Sequence, residues 1–259
     1  MALSLSHGNE HRRANTESTL KALILAAGNG TRLRPLTETI PKCLLPIAGV
    51  PLLSVWLELC AKHGITEALV NTHSNSAAVD EFISKYRGPI TITVSNEPSL
   101  LGSGGTLYSN RRFFEGDAVF WILYADVLTN ADLGLMLAHH HRLAQPATIG
   151  LYEVPNPREC GIVEVDSEGI VRSFVEKPPQ PRGNLAFSGI MLATGELLKE
   201  LPRDVRDIGF DVLPLFVNRM AGYRIKEFVM DIGTLEAYKT ASQLWPPPNP
   251  GVKRDSKPC

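Results

Sequence analysis

Leu23-Ile-Leu-Ala-Ala-Gly28-Asn-Gly30-Thr-Arg32-Leu-Arg34-Pro-Leu-Thr-Glu-Thr-Ile-Pro-Lys42 runs from an apolar strand into a glycine loop, then presents two arginines and a lysine. Gly28 and Gly30 leave no Cβ in the way, so backbone N–H groups can close on phosphate oxygens. Arg32, Arg34 and Lys42 bring positive charge to the same rim. The pattern predicts an anion cradle for a polyphosphate. It is not a Walker loop, because the terminal Gly-Lys-Ser/Thr is missing, and it lacks the Gly-x-Gly-x-x-Gly of a dinucleotide fold. A Gly-x-Gly after a strand is also compatible with an ordinary strand-to-helix turn, and the rest of the chain decides between the two.

Around this stretch, apolar strand-like runs alternate with helix-like segments. Leu23–Ala26, Ala68–Asn71, Ile90–Val94, Val119–Tyr124 and Thr148–Val154 read as strands. Pro51 at a helix start, apolar residues at Leu52, Leu53, Trp56, Leu59 and Cys60, and a closing Gly64 define one helix. Asn75–Tyr86, Gly104–Phe114 and Asp132–Leu143 follow as further helices. This alternation predicts an α/β fold, a mostly parallel sheet with helices on both faces that binds ligands at the carboxyl ends of its strands. Beyond Pro155, Ile162–Val165, Ile170–Val175 and Ala186–Leu192 succeed one another as strands and suggest a second substrate region on the same sheet.

With 259 residues, 44% hydrophobic and 20% charged, the chain can bury one sizeable core. Residues 1–19 read as a flexible leader, 20–245 as the folded domain, and 246–259, opening with Pro246-Pro-Pro-Asn-Pro250, as a flexible tail. A net charge of −1 gives no basic surplus for nucleic acid. No apolar run approaches the roughly 20 residues of a membrane span, and the N-terminus lacks a signal-peptide layout. Cys43, Cys60, Cys160 and Cys259 form no C-x-x-C pair, so free thiols and a cytoplasmic location are expected.

Other constellations carry chemistry. Ala118-Val-Phe-Trp-Ile-Leu-Tyr-Ala-Asp126 is a buried-strand pattern ending in a carboxylate, which reads either as a helix cap or as a metal ligand at the mouth of a site. Mg²⁺ is commonly held by one or two carboxylates plus substrate phosphates, and Asp231, in Glu227-Phe-Val-Met-Asp231-Ile-Gly-Thr, is a second strand-end carboxylate. Thr234 beside it is a candidate cap for the last helix. Glu97-Pro-Ser-Leu-Leu-Gly102-Ser-Gly104-Gly105-Thr106 is a second glycine loop entering a helix, or a flexible turn. Glu176-Lys177-Pro178 is a charged pair at a strand end, in its plainest reading a surface ion pair. His139 to His141 are adjacent on a predicted helix, so they point apart and cannot converge on one ion; a partly solvated face is expected.

Gly28-x-Gly-Thr-Arg-Leu-x-Pro-x-Thr-x-x-x-Pro-Lys42, followed by Leu45-Pro46 and Gly49-x-Pro51, resembles the opening motif of the sugar-1-phosphate nucleotidylyltransferases. The resemblance covers about residues 20–245 and implies a Rossmann-like three-layer sandwich with a mixed, mostly parallel central sheet. It implies a nucleoside triphosphate against Leu25, Ala26, Ala27, Gly28, Asn29, Gly30, Thr31, Arg32 and Lys42, with its base on Glu97, Gly102 and Gly105. Arg32, Lys42 and Asp126 would be the catalytic groups, and Asp126 and Asp231 the Mg²⁺ ligands. Gly161, Glu176, Lys177 and Asn184 would receive the sugar phosphate. One departure is local: Cys160 stands where many relatives carry an aromatic residue.

The implied reaction joins a nucleoside triphosphate to a sugar 1-phosphate and releases pyrophosphate. Among its variants, guanylyl transfer from GTP to mannose 1-phosphate or a manno-heptose 1-phosphate is preferred over uridylyl or thymidylyl transfer to glucose-type sugars. A non-catalytic regulatory relative would be expected to lose phosphate or metal ligands, yet Arg32, Lys42, Asp126, Lys177 and Asp231 are present. Expected partners are these two substrates, with neither nucleic acid nor membrane; a homo-oligomer is compatible with the reading. Glu97 is expected to select guanine, because a carboxylate has only acceptors and guanine offers adjacent N1–H and N2–H₂ donors. The alternative is that Glu97 is a solvated loop residue.

Overall fold

A computed structural model describes residues 19–73 and 76–245. The expected leader, apart from Thr19, and the tail lie outside the described residues, as does Cys259. In chain order the elements are β1 (Leu20–Leu25), β2 (Pro46–Ile47), β3 (Val50–Pro51), α1 (Leu52–Lys62), β4 (Ile65–Thr72), α2 (Ser76–Lys85), β5 (Thr91–Asn96) and α3 (Gly102–Asn110). Next come β6 (Phe120–Tyr124), β7 (Val127–Thr129), α4 (Leu133–Leu143), β8 (Ala147–Glu153), β9 (Gly161–Val165), β10 (Val171–Glu176) and β11 (Leu185–Ala193). The chain continues through α5 (Gly195–Lys199), a π-helical turn at Ile208–Val212, β12 (Met220–Arg224), β13 (Val229–Asp231) and α6 (Leu235–Leu244).

One sheet organises the molecule, in the order β10-β9-β11-β6-β1-β4-β5, with β8 on β11 and β12 on β8. The run β6-β1-β4-β5 is parallel, whereas β11 pairs antiparallel with β6, β8 and β9. Because successive side chains of a strand point to opposite faces, each central strand feeds two cores. Ala22, Ile24, Trp121 and Leu123 pack with α1, α4 and α6 on one face. Leu23, Phe120 and Ile122 pack on the other against Leu107, Leu197 and Phe216, from α3, α5 and the segment after the π turn. The result is the expected three-layer α/β sandwich.

Local signals account for most element ends. Asp132 caps α4 by accepting the Leu135 N–H, and Thr234 caps α6 by accepting the Ala237 N–H at 3.1 Å. Gly64 closes α1 with φ +77°, a backbone region that glycine enters without steric cost. The predicted helix over Gly104–Phe114 begins two residues earlier and ends in a 3₁₀ turn at Arg111–Phe114. Cys43, Cys60 and Cys160 are free thiols, and burial pushes the thiols of Cys43 and Cys60 up to about 12. The histidines do not share one face: His140 is buried, with Nδ1 2.8 Å from Thr148 Oγ1, and burial lowers its pKa to about 4. The expected solvated face therefore fails for His140, which belongs to the core between α4 and β8. No helix among the described residues is long and apolar enough to cross a membrane.

Candidate active site

A cleft of about 280 Å³ opens at the carboxyl ends of β1, β4 and β6. This is where strand order turns back on either side of β1, the position at which open α/β sheets bind ligands. Leu25, Ala26, Ala27 and Gly28 form one wall, Glu97 and Gly102 another, and Lys42 and Asp126 stand at its charged end. Asn29 borders an adjoining small polar hollow that shares Gly28 and Lys42. Gly30, Thr31, Arg32 and Gly105 do not line the cleft itself. Asn71, Ser103, Thr106 and Tyr124 line it and were missed. A polar residue at the carboxyl end of a buried strand, as at Asn71, was the available signal.

The first glycine loop is held from both sides. The Ala26 N–H donates to Asn71 Oδ1 at 2.7 Å, so that amide is already engaged. Gly30 has φ +60°, and a Cβ there would come within 2.8 Å of Thr37 Cγ2, whereas a Cβ on Gly28 would meet nothing within 4 Å. The open side of Gly28 thus leaves the backbone accessible to a ligand, and the crowded side of Gly30 packs the loop onto its own return.

At the charged end, Lys42 Nζ donates to Asp126 Oδ2 at 2.7 Å. Their side chains are 10% and 31% exposed, so the pair is partly shielded from solvent screening. Asp126 caps no helix; the chain turns directly into β7, which pairs with β13 and aligns Asp231 with Val127. The Ile232 N–H donates to the Asp126 carbonyl at 3.0 Å, fastening the two carboxylate-bearing segments together. Asp231 is exposed as a residue, yet desolvation around its carboxyl and then the Asp126 charge hold that group above its ordinary range, against the pull of Lys42, the Gly233 N–H and Arg32. Arg32 Nη2 lies 2.9 Å from where a Cβ on Gly233 would stand, so this exposed arginine faces the Asp231 side of the site. Two carboxylates that repel each other beside a cleft have the chemistry to take a divalent cation completed by phosphate oxygens.

Glu97 is only 3% exposed, which excludes the solvated-loop reading. Its Oε1 accepts from Asn71 Nδ2 at 2.9 Å and from the Thr106 hydroxyl, and its Oε2 accepts from the Leu101 N–H at 3.2 Å. A carboxylate offers about four acceptor positions, and three are taken. That leaves at most one acceptor position, on Oε2, for a ligand, so the paired hydrogen bonds expected from sequence cannot both form in this arrangement.

The second glycine loop is shaped by protein contacts. Gly102 has φ +78°, and a Cβ there would stand 2.2 Å from the Arg206 carbonyl oxygen; one on Gly104 would stand 2.5 Å from Val205 Cγ2. We predict that Gly102→Ala lowers stability by about 1–3 kcal/mol through backbone strain alone, and more through the clash. Urea unfolding checks this; an unchanged midpoint would show that the loop relaxes freely.

On the antiparallel half of the sheet, Glu176 pairs with Gly161 at the end of β10. A Cβ on Gly161 would lie 2.6 Å from Glu176 Oε2, and one on Gly209 would lie 2.5 Å from the same oxygen. Burial raises the Glu176 carboxyl pKa, with Lys177 opposing and Asp207 adding to the rise. Lys177 is left-handed at φ +47° and donates its N–H to the Cys160 carbonyl at 3.0 Å, and its 56% exposed side chain sets Nζ 3.9 Å from Glu176 Oε1 and over the Phe210 ring. Asn184 is not brought to this group. β11 runs antiparallel to β9 through the Ala186–Ile162 pair, so stepping back from Ala186 to Asn184 leads away from Gly161, and Phe187 lies on the Gly161 side instead.

A cleft with a cationic and a carboxylate rim thus shares its sheet with a second group of polar side chains around Glu176. The chain belongs to the nucleotidyl transferase family, whose pattern it matches over residues 21–245. It is 31% identical over 235 residues to a mannose-1-phosphate guanyltransferase of Schizosaccharomyces pombe, covering 87% of this chain and 64% of that protein. It thus spans less than two thirds of that relative's length. Among solved structures, HddC from Yersinia pseudotuberculosis complexed with GMP-PN is 25% identical, with a TM-score of 0.73 over 87% of this chain and 99% of that one. A Bacillus anthracis structure described as a putative glucose-1-phosphate thymidylyltransferase shares the fold at a TM-score of 0.79 and 22% identity, covering 90% of this chain and 98% of that one.

Proposed function

We propose that the chain is an enzyme that transfers a guanylyl group from GTP to mannose 1-phosphate or a manno-configured heptose 1-phosphate. The carrying observation is the Lys42–Asp126 ion pair at the end of a cleft walled by the first glycine loop, with Asp231 on the strand paired to the segment that follows Asp126. The names of the relatives, a mannose-1-phosphate guanyltransferase and a structure holding GMP-PN, support guanine and a manno sugar.

In this reading a phosphate oxygen of the sugar 1-phosphate attacks the α-phosphorus. The bond from that phosphorus to the β-phosphate bridging oxygen breaks, and pyrophosphate leaves with the electron pair. No protein nucleophile takes part, so catalysis rests on alignment and on charges already in place. Lys42 and Arg32 neutralise the triphosphate, and the backbone at Gly28 gives its phosphates close approach. Asp126 and Asp231 would hold Mg²⁺, which supplies further neutralisation of the phosphate charge. Glu176 accepts from sugar hydroxyls beside Gly161, and Lys177 carries its cation to the sugar phosphate. A cytoplasmic setting suits the free thiols.

Pyrophosphate release across four nucleoside triphosphates and a panel of sugar 1-phosphates tests the reading; GTP with a manno sugar 1-phosphate is expected to be fastest, and a faster uridylyl or thymidylyl reaction overturns it. Lys177→Ala should raise KM for the sugar phosphate by about 10- to 150-fold, the equivalent of one charge-assisted hydrogen bond of roughly 1.5–3 kcal/mol, and change KM for the nucleotide far less. Equal weakening of both substrates would remove Lys177 from this role.

A further inference from the structure

The segment from Val205 to Asp211 touches both substrate regions. On the nucleotide side, the Arg206 carbonyl accepts from the Gly104 N–H at 2.9 Å and from the Gly105 N–H at 3.3 Å. Ser103 Oγ donates to Asp207 Oδ2 at 3.1 Å and accepts from the Ile208 N–H at 2.8 Å. On the sugar side, Gly209 lies so close to Glu176 that a Cβ would fall 2.5 Å from its carboxylate oxygen. The segment is stiffened from within. Asp211 Oδ2 accepts the N–H groups of Arg206 and Asp207, each at 2.8 Å, and Asp207 Oδ1 accepts the Phe210 N–H at 3.0 Å. From Ile208 the segment forms the π-helical turn, a geometry that occurs mostly as single turns and often at functional sites.

We propose that Asp207 and Ser103 are positioning residues that latch the base-binding loop to the sugar-binding Glu176, so that nucleotide binding prepares the sugar subsite. The inference rests on the reading under Proposed function. A base lying against residues 101–106 orders that loop. Ser103 and the Arg206 carbonyl transmit the order to residues 207–209, and Glu176, packed on Gly209, then loses less freedom when a sugar binds. The coupling is reciprocal, so the sugar phosphate tightens the nucleotide by the same factor. Ser103 is suited to this role because its one hydroxyl both donates to the Asp207 side chain and accepts from the Ile208 amide, so losing it releases both bonds at once, along with its hydrogen bond to the Tyr124 side chain.

The test uses the nucleotide and sugar 1-phosphate that the wild-type chain turns over fastest. Calorimetry gives the Kd of that sugar 1-phosphate with and without a saturating α,β-methylene analogue of that nucleotide, which occupies the site without releasing pyrophosphate. The wild-type ratio should lie between about 5 and 150. In Ser103→Ala, in Asp207→Ala and in the double variant it should fall below about 2, the double variant losing no more than either single because all three break one link. Thermal melts accompany each variant, and Ser103→Ala, which removes a single hydroxyl, decides the matter if Asp207→Ala does not fold. A wild-type ratio retained in Ser103→Ala overturns the proposal, as does a wild type that turns substrates over with a ratio near 1. A wild type that turns over no pair overturns the functional reading, and this proposal with it.

Discussion

Asp126→Ala should lower kcat by about 10³-fold or more, about 4 kcal/mol of barrier, while leaving the fold standing. The side chain projects from the turn after β6 and takes no part in a strand ladder. Its backbone carbonyl, which receives the Ile232 N–H, is untouched by the substitution, as is the neighbouring Ala125 N–H that donates to the Leu25 carbonyl at 3.0 Å. Two electrostatic changes oppose each other. Lys42, 10% exposed, loses its carboxylate partner, while Asp231 loses the neighbour whose charge holds its carboxyl high. The first destabilises and the second relieves, so Tm should move by only a few degrees. Turnover at saturating Mg²⁺ is the deciding measurement, and a kcat within a fewfold of wild type would sink the metal-binding role of Asp126. A second readout is Asp231 itself, whose carboxyl, followed by NMR, should titrate lower once Asp126 is gone.

What the sequence made legible follows periodicity and local chemistry. The strands feeding the cleft were readable because β1, β4 and β6 are buried on both faces and appear as short, nearly unbroken apolar runs. Lys42 and Asp126 stand 84 residues apart, yet each sits in a local pattern that names it: a glycine loop followed by Pro-Lys, and a carboxylate at the end of an apolar strand. Asp207 and Gly209 had no such pattern. Their importance comes from packing against Ser103 and Glu176, contacts between segments distant in sequence that no periodicity encodes. Asn184 shows the opposite failure. It is a polar residue just before a strand, credible by position, but the antiparallel register of β11 on β9 carries it away from Gly161. Strand register is a property of the paired sheet, and one strand read alone does not contain it.

Glu97→Gln should lower kcat/KM with GTP by about 10- to 150-fold, the range of one hydrogen bond to a charged group, and lower it far less with UTP or dTTP. The structure sharpens why the ratio, and not the absolute rate, carries the information. In the wild type Oε1 is committed to Asn71 and Thr106, so a glutamine would keep its carbonyl oxygen there and place Nε2 where Oε2 now receives the Leu101 N–H. A donor would then face a donor, and the entry to the second glycine loop would loosen for every nucleotide alike. That shared loss cancels in the ratio of GTP to UTP. What survives is the base-specific part: Oε2 can accept from an N–H on guanine's Watson–Crick edge, whereas the amide that replaces it can only donate there. Uracil and thymine present carbonyl oxygens on either side of their single donor, so for them the exchange gains as much as it loses. Thermal melts should show some destabilisation, because the partly buried Leu101 N–H is left unpaired. A GTP-to-UTP preference that is unchanged in Glu97→Gln, with activity lowered equally on both, would make Glu97 a support for the loop and move the selection of guanine to another part of the cleft.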